Sequence, residues 1–240
     1  MFSNYWLAVS ILAVVAVLSV RTGKLTATAG LTGFIVGLLI FAGAGFTGVT
    51  MLAVFFLLGT IATSWGMRKK QRLGLAENDK GQRKAGQVIA NAGVAAILGL
   101  LAITLPDLMI FCRIMMAASF ASAAADTLSS ELGVLYGKKF YNIITFKKDT
   151  RGLDGVVSFE GTMLGVLGSI CIALVFSISL GFSIQFFLIV IAGTVGNLVD
   201  SVLGATVERK HHFNNNAVNF LNTAIAALAG LCLMLLTNIS

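Results

Sequence analysis

Eight times along this chain, charge all but disappears for about 17 to 25 residues, at approximately 4–20, 25–43, 49–65, 87–105, 108–125, 161–180, 184–206 and 217–236. Runs of that length fit the hydrocarbon layer of a bilayer when coiled as helices, where every backbone amide must find its partner inside its own segment. With 57% of its 240 residues hydrophobic and 11% charged, the chain is excluded from the water-soluble and the disordered classes. A single Pro and 26 Gly suit helices that approach one another closely. The predicted fold is all-α: a polytopic membrane helix bundle of about eight transmembrane helices, forming one integral membrane domain over residues 1–240. Ala8, Ser10 and Ala13 lie inside the first run and no basic flank precedes it, which argues for a retained span over a cleaved signal peptide.

The basic residues test that count independently, because cytoplasmic loops collect Lys and Arg. Sixteen of the seventeen follow an odd-numbered run. Arg21 and Lys24 follow the first; Arg68, Lys69, Lys70, Arg72, Lys80, Arg83 and Lys84 the third; Lys138, Lys139, Lys147, Lys148 and Arg151 the fifth; Arg209 and Lys210 the seventh. Both termini are therefore expected on the non-cytoplasmic side, with large cytoplasmic loops at about 66–86 and 126–160. Arg113, the exception, is expected to snorkel or to pair with Asp107. The net charge of +7 reflects this sidedness and an attraction to anionic lipid head groups, and it calls for no nucleic-acid partner. In a bacterium or archaeon such a chain belongs in the plasma (inner) membrane, with its working face toward the cytoplasm.

Polar groups at membrane depth cost a few kcal/mol each unless paired, solvated or used. Here they gather at one depth. Gln87 and Asn91 open the fourth run, Asp126 ends the fifth and is followed by Thr127, Ser129, Ser130 and Glu131, Asn197, Asp200 and Ser201 lie late in the seventh, and Asn216, Asn219 and Asn222 open the eighth. Four distant segments can thus line one pocket on the cytoplasmic side. Asp126-Thr-Leu-Ser-Ser-Glu131 offers the carboxylate and hydroxyl oxygens that Mg²⁺ accepts, with water and substrate phosphates completing its shell. His211 and His212 stand alone in a basic loop, so no zinc site is expected, and no Ser–His–Asp constellation is readable. Cys112, Cys171 and Cys232 fall in apolar runs and read as small buried residues. Lys147, Lys148 and Arg151 lead through a Gly-rich stretch to the sixth run, whose N-terminus at the cytoplasmic face favours an anion such as phosphate.

Taken together and in order, Arg83-Lys-Ala-Gly-Gln87-Val-Ile-Ala-Asn91, Ala125-Asp126-Thr127 through Ser130-Glu131-Leu-Gly133, the Gly152–Gly161 segment with Ser158, Gly196 through Asp200-Ser-Val-Leu-Gly204, and Asn216 with Asn219-Phe220 resemble an integral membrane family. That family includes animal transmembrane protein 19 and the phytyl-phosphate kinase of vitamin E synthesis. The likeness covers roughly 80–230; a looser one extends to dolichol kinases and phosphatidate cytidylyltransferases, both users of CTP. Where the family has Thr-Gly-Gly character, this chain has Arg151-Gly152-Leu-Asp-Gly155. The resemblance implies a kinase that moves the γ-phosphate of a nucleoside triphosphate onto a prenyl monophosphate, giving a prenyl diphosphate. It implies Mg²⁺ on Asp126, Asp200 and Glu131, phosphates held by Lys147, Lys148 and Arg151, and substrate positioned by Asn91, Ser130, Ser158, Asn197, Ser201 and Asn219. A related CTP-dependent lipid kinase or cytidylyltransferase, or a small transporter or channel, is the alternative reading.

Overall fold

Three polar side chains start three of the helices in this computed structural model, which describes residues 2–75 and 81–237. Thr26 Oγ1 accepts the Ala29 amide at 3.2 Å, Ser158 Oγ that of Gly161 at 3.1 Å and Asn214 Oδ1 that of Ala217 at 3.0 Å. The helices are α1 (Phe2–Arg21), α2 (Ala27–Ser64), α3 (Met67–Arg72), α4 (Ala85–Thr104), α5 (Met109–Tyr136), α6 (Phe159–Leu180), α7 (Gln185–Leu203) and α8 (Asn215–Leu236). Two antiparallel two-residue strands, β1 (Tyr141–Asn142) and β2 (Val156–Val157), form a small hairpin between α5 and α6. Seven of these helices are long and apolar enough to cross a membrane. Lys80, one of the expected loop cations, lies outside the described residues.

One of the seven does the work of two. A straight helix of 38 residues would be roughly 57 Å long, nearly twice the hydrocarbon thickness. At Gly45 the backbone takes φ 61° and ψ −151°, a conformation essentially reserved for glycine, and the helix is broken there. Its two ends then meet: Lys24 Nζ, just ahead of α2, donates to Ser64 Oγ at its end at 3.3 Å. The halves are thus the expected second and third spans, folded back on one another. Arg113 serves this turn rather than Asp107, its Nε donating to the Gly43 carbonyl at 3.3 Å.

The bundle is built around α5, against which α2, α4, α6, α7 and α8 all pack. Its Ala117–Ala125 stretch is buried throughout. Small residues on both sides make that possible, because in lipid it is close backbone approach, not exclusion of water, that holds helices together. A β-carbon on Gly168 of α6 would lie 2.7 Å from the Ala124 carbonyl oxygen, and one on Gly193 of α7 2.6 Å from the Ala121 β-carbon. By contrast α1 rests mainly on α2 and turns Trp6, Val14 and Leu18 outward, as a lipid-facing helix does. Of the cysteines only Cys112 is buried; Cys232 is exposed on the outside of α8, so the reading of three buried thiols is corrected.

One face of the bundle carries the charged connections. Strand-like bonds join Leu25 to Arg83, Lys69 Nζ donates to the Leu135 carbonyl at 3.0 Å, and Arg209 reaches the hairpin. We call this the basic face. Two expected boundaries move here. Helix α5 continues eleven residues past position 125, to Tyr136, so the loop expected at 126–160 runs only from 137 to 158. The helix persists because Leu128, Gly133 and Leu135 still bury themselves, although the chain is no longer uniformly apolar. The loop expected at 66–86 likewise contains α3, whose Lys70 is buried.

Candidate functional site

Two helices present the same spacing to one cavity. On α5, Asp126, Ser129, Ser130 and Gly133 follow each other at i, i+3, i+4 and i+7; on α7 and the turn that continues it, Asn197, Asp200, Ser201 and Gly204 do likewise. That period is one face of a helix, so each stripe lines the same wall along its length. Ser129 Oγ donates to Asn197 Oδ1 at 2.9 Å and ties the two stripes together. The cavity holds about 440 Å³ and lies at the basic face, where the hairpin residues Gly152–Ser158 and Leu75 roof it. Its fourth side is the start of α6, with Ser158, Gly161 and Thr162.

Among the described residues, five carboxylates line this space, those of Asp126, Glu131, Asp154, Asp200 and Glu208, and no Lys, Arg or His does. Asp126 and Asp200 lie within side-chain hydrogen-bonding reach of each other. Asp200 is held from a third helix: Asn222 Nδ2 of α8 donates to its Oδ1 at 2.6 Å, while Asn222 Oδ1 accepts from Ser122 at 3.1 Å. With its amide nitrogen turned inward, Asn219 reaches the same oxygen at 3.3 Å. Among the described residues no three His, Cys, Asp or Glu side chains converge as a ready-made metal cage. A cation here would rest on one or two carboxylates together with oxygens from Ser, Asn, water and substrate, which is how Mg²⁺ is usually held.

The hairpin is locked down by contacts that only glycine permits. At Gly155, φ is 69° and an added β-carbon would collide with Ala205 in the π-helical turn Gly204–Glu208 that follows α7. Such turns recur at functional sites because they re-aim side chains; this one lets Glu208 line the cavity eight residues after Asp200. Arg209 completes the lock, donating to the Asp154 carbonyl at 2.5 Å and to Asp149 Oδ2 at 2.9 Å. The Thr150 amide, followed by Arg209, keeps the Asp149 carboxyl below its ordinary range.

Of the residues singled out from the sequence, Asp126, Asp200, Glu131, Ser130, Ser158, Asn197 and Ser201 line the cavity. Asn219 stands behind Asp200. Others are elsewhere. Lys147 and Lys148 are exposed on the hairpin and away from the cavity wall, because the turn that carries them folds outward from its roof. Arg151 sits one layer back, its guanidinium 4.7 Å from the centre of the Phe140 ring, which does line the space. Asn91 bonds its own helix, Nδ2 donating to the Gln87 carbonyl at 2.9 Å. Glu131 is already engaged: Lys70 Nζ donates to Oε2 at 2.5 Å and Thr63 Oγ1 to Oε1 at 2.9 Å. Ser129 and Asn222, placed in the polar layer but given no role of their own, are on the wall and behind it; Asp154, Glu208 and Lys70, which were not singled out as site residues, are there too. For Ser129 and Asn222 the helical spacing from Asp126 and Asn219 was the available signal; nothing local in the sequence marks Glu208 or Lys70.

The ordered motifs and the bundle can be set beside known proteins. A family model described as integral membrane protein DUF92 matches residues 10–227. The chain belongs to that family. It is 34% identical over 227 residues to an uncharacterised membrane protein of Methanocaldococcus jannaschii, covering 93% of this chain and 92% of that one. It is 32% identical over 219 residues to Protein VTE6, chloroplastic, of Arabidopsis thaliana, a match that covers 86% of this chain but 64% of the plant protein's length. Protein PGR of the same plant is 32% identical over 225 residues, with 84% of this chain and 78% of that protein covered. No solved structure matches the chain. As a member of this family with a bundle of spanning helices, the protein is an integral membrane protein.

Proposed function

We propose that this protein is a membrane-embedded kinase that transfers the γ-phosphate of a nucleoside triphosphate, CTP among the candidates, to a prenyl monophosphate of the phytyl or geranylgeranyl class. The observation that carries the reading is the meeting of Asp126 and Asp200 in a cavity lined, among the described residues, by five carboxylates and no cation. Two adjoining, largely enclosed carboxyl groups repel unless a cation or a proton comes between them. A divalent ion arriving with a triphosphate meets that demand, and Asp126 and Asp200 are the residues that would hold it. Glu131, neutralised in place by Lys70, is left out of that set and buttresses the wall.

When bound, Mg²⁺ supplies neutralisation of the charge that spreads over the phosphate oxygens in phosphoryl transfer. The chain's own residues supply alignment. Asn222 and Asn219 fix Asp200, Ser129 and Asn197 fix the distance between α5 and α7, and the N-terminus of α6 turns its positive end toward the space where phosphates lie. Of the three cations expected to hold phosphates, Arg151 is the one that stays beside the wall, stacked on Phe140. No general base is required, because a prenyl monophosphate is already mostly dianionic near neutral pH. A cavity at the basic face, read as cytoplasmic by the positive-inside rule, suits substrates that come from two sides, a nucleotide from the cytoplasm and a lipid head group whose tail remains in the bilayer. The resemblance of the ordered motifs to the family that includes phytyl-phosphate kinase supports the same chemistry.

The test is a product assay with purified protein in lipid, phytyl and geranylgeranyl phosphates, Mg²⁺ and each of four γ-labelled nucleotides. Labelled prenyl diphosphate together with a nucleoside diphosphate is the expected outcome. Release of pyrophosphate would mark nucleotidyl transfer instead, and flux of substrate across vesicles without nucleotide turnover would mark a transporter; either overturns the proposal.

A further inference from the structure

Between Asn142 and Lys147 the hairpin turns so tightly that its tip can only point outward. Asn142 Oδ1 accepts the amides of Ile144 and Thr145, each at 3.0 Å, and its carbonyl accepts that of Phe146 at 2.9 Å. Phe146 is held at φ 55°, a region that bulky side chains avoid, and the residue is 79% exposed. Ile144 beside it is 45% exposed. Water gives neither side chain a reason to be there. Lys139, Lys147 and Lys148 are exposed around them, and the last two form none of the ion pairs found among the described residues.

We propose that this tip anchors the roof of the cavity to the bilayer surface, with Phe146 and Ile144 entering the head-group layer and Lys147 and Lys148 facing the phosphates of anionic lipids. Apolar side chains next to lysines are what that layer accepts, since it is wet and charged at one level and apolar a few ångströms deeper. Charge decides for lipid over a second copy of this chain, because the basic face offers the lysines more of their own sign. Helices α5 and α6 end at this face, so the hairpin between them is within reach of the lipid surface. The anchor fixes the height of the roof relative to the membrane; it rests on the topology and not on the kinase reading.

A fluorescent reporter tests it. Trp6 and Trp65 are replaced by Phe, Phe146→Trp is introduced, and the full chain is placed in phosphatidylcholine vesicles with or without phosphatidylglycerol. Lipids brominated near the head group or deep in the tail serve as quenchers. Because Phe146 lies on an exposed turn, the change spares the packed helices, and Ile144→Trp provides a second reporter. The expected result is blue-shifted emission quenched by the shallow bromolipid, about twofold more in anionic vesicles, with the gain lost in Lys147→Glu/Lys148→Glu. Emission at water wavelengths from both reporters, quenched by iodide and untouched by bromolipid, would overturn the anchor. So would blue-shifted emission that neither bromolipid quenches, which would place the tip against a second copy of the chain.

Discussion

Asp200 shows what a single residue needs in order to sit at membrane depth. Two amides from α8 bond one of its oxygens while its neighbour across the cavity is another carboxyl, so the group is positioned but its charge is left for a ligand to balance. Asp126→Asn and Asp200→Asn should each lower prenyl-phosphate turnover by at least about a hundredfold, the scale of losing one preorganised charge, while the protein still inserts and purifies. Retained turnover in both would remove the metal-holding role. Asn222→Ala should cost about 1–3 kcal/mol, because it strips a partner from both Ser122 and Asp200 in one step. Thermal melting in detergent reads that loss. Lys70 and Glu131 form a different kind of pair, with Lys70 1% exposed and donating also to the carbonyls of Ala62 and Thr63. Lys70→Met alone should destabilise by about 3–5 kcal/mol, since it leaves Glu131 without its counter-charge, and adding Glu131→Leu should recover much of that. At this scale the sequence announced which polar residues were out of place, but not their partners. Asn91 and Asn222 look alike in it; one bonds its own helix and the other holds a carboxylate on the preceding helix.

Elements were legible wherever the bilayer dictates length. The second and third spans lie within a residue or three of their expected limits even though the helix between Ala27 and Ser64 is continuous but for one residue. That residue makes a direct test possible. An added β-carbon on Gly45 would have nothing within 4 Å, so Gly45→Ala meets open space and suffers only backbone strain. It should cost about 1–3 kcal/mol in a detergent melt, and an unchanged midpoint would show that the turn tolerates another backbone conformation. The end of α5 was misread for a physical reason. A scan for apolar runs stops at the first carboxylate, whereas a helix stops when its backbone bonds and its buried face run out, and Leu128 and Leu135 keep that face going beyond Asp126. The acidic motif therefore stands on a rigid helix facing a cavity, where a loop had been expected. The π-turn after α7 had no such signature, because Gly-Ala-Thr-Val-Glu reads as ordinary helix until Gly155 is packed against it.

Across the whole molecule, the hairpin and the bundle are joined chiefly through Arg209, which holds Asp149 and the Asp154 carbonyl together at the end of α7. Arg209→Ala should loosen the roof without unfolding the bundle, seen as faster amide exchange in 141–157 and unchanged exchange in α5. The pH dependence has a definite sign. Because Asp149 is held below its ordinary range in the folded protein, its contribution is complete above that range and is lost as pH falls through the lowered value. Protection of the hairpin amides, taken relative to their intrinsic exchange rate at each pH, should thus stay flat from neutral into mildly acidic conditions and fall only in stronger acid, and Asp149→Asn should erase that fall. A loss of protection already at mild acidity would mean that another group carries the link.

By itself the sequence determined where the apolar spans lie, which face collects the cations and which polar residues stand near that face. Those properties are local: a bilayer fixes span length and charge sidedness segment by segment, and each segment answers to it independently. What only the tertiary structure decided is which polar groups share a cavity. That depends on the rotation of each helix about its axis, and the rotation is set by small residues meeting across α5, α6 and α7, contacts between positions far apart in the chain. Asp126 and Asp200 came together for that reason, and Lys147 and Lys148, close to them in expectation, turned outward when Gly155 and Arg209 bound the hairpin to α7.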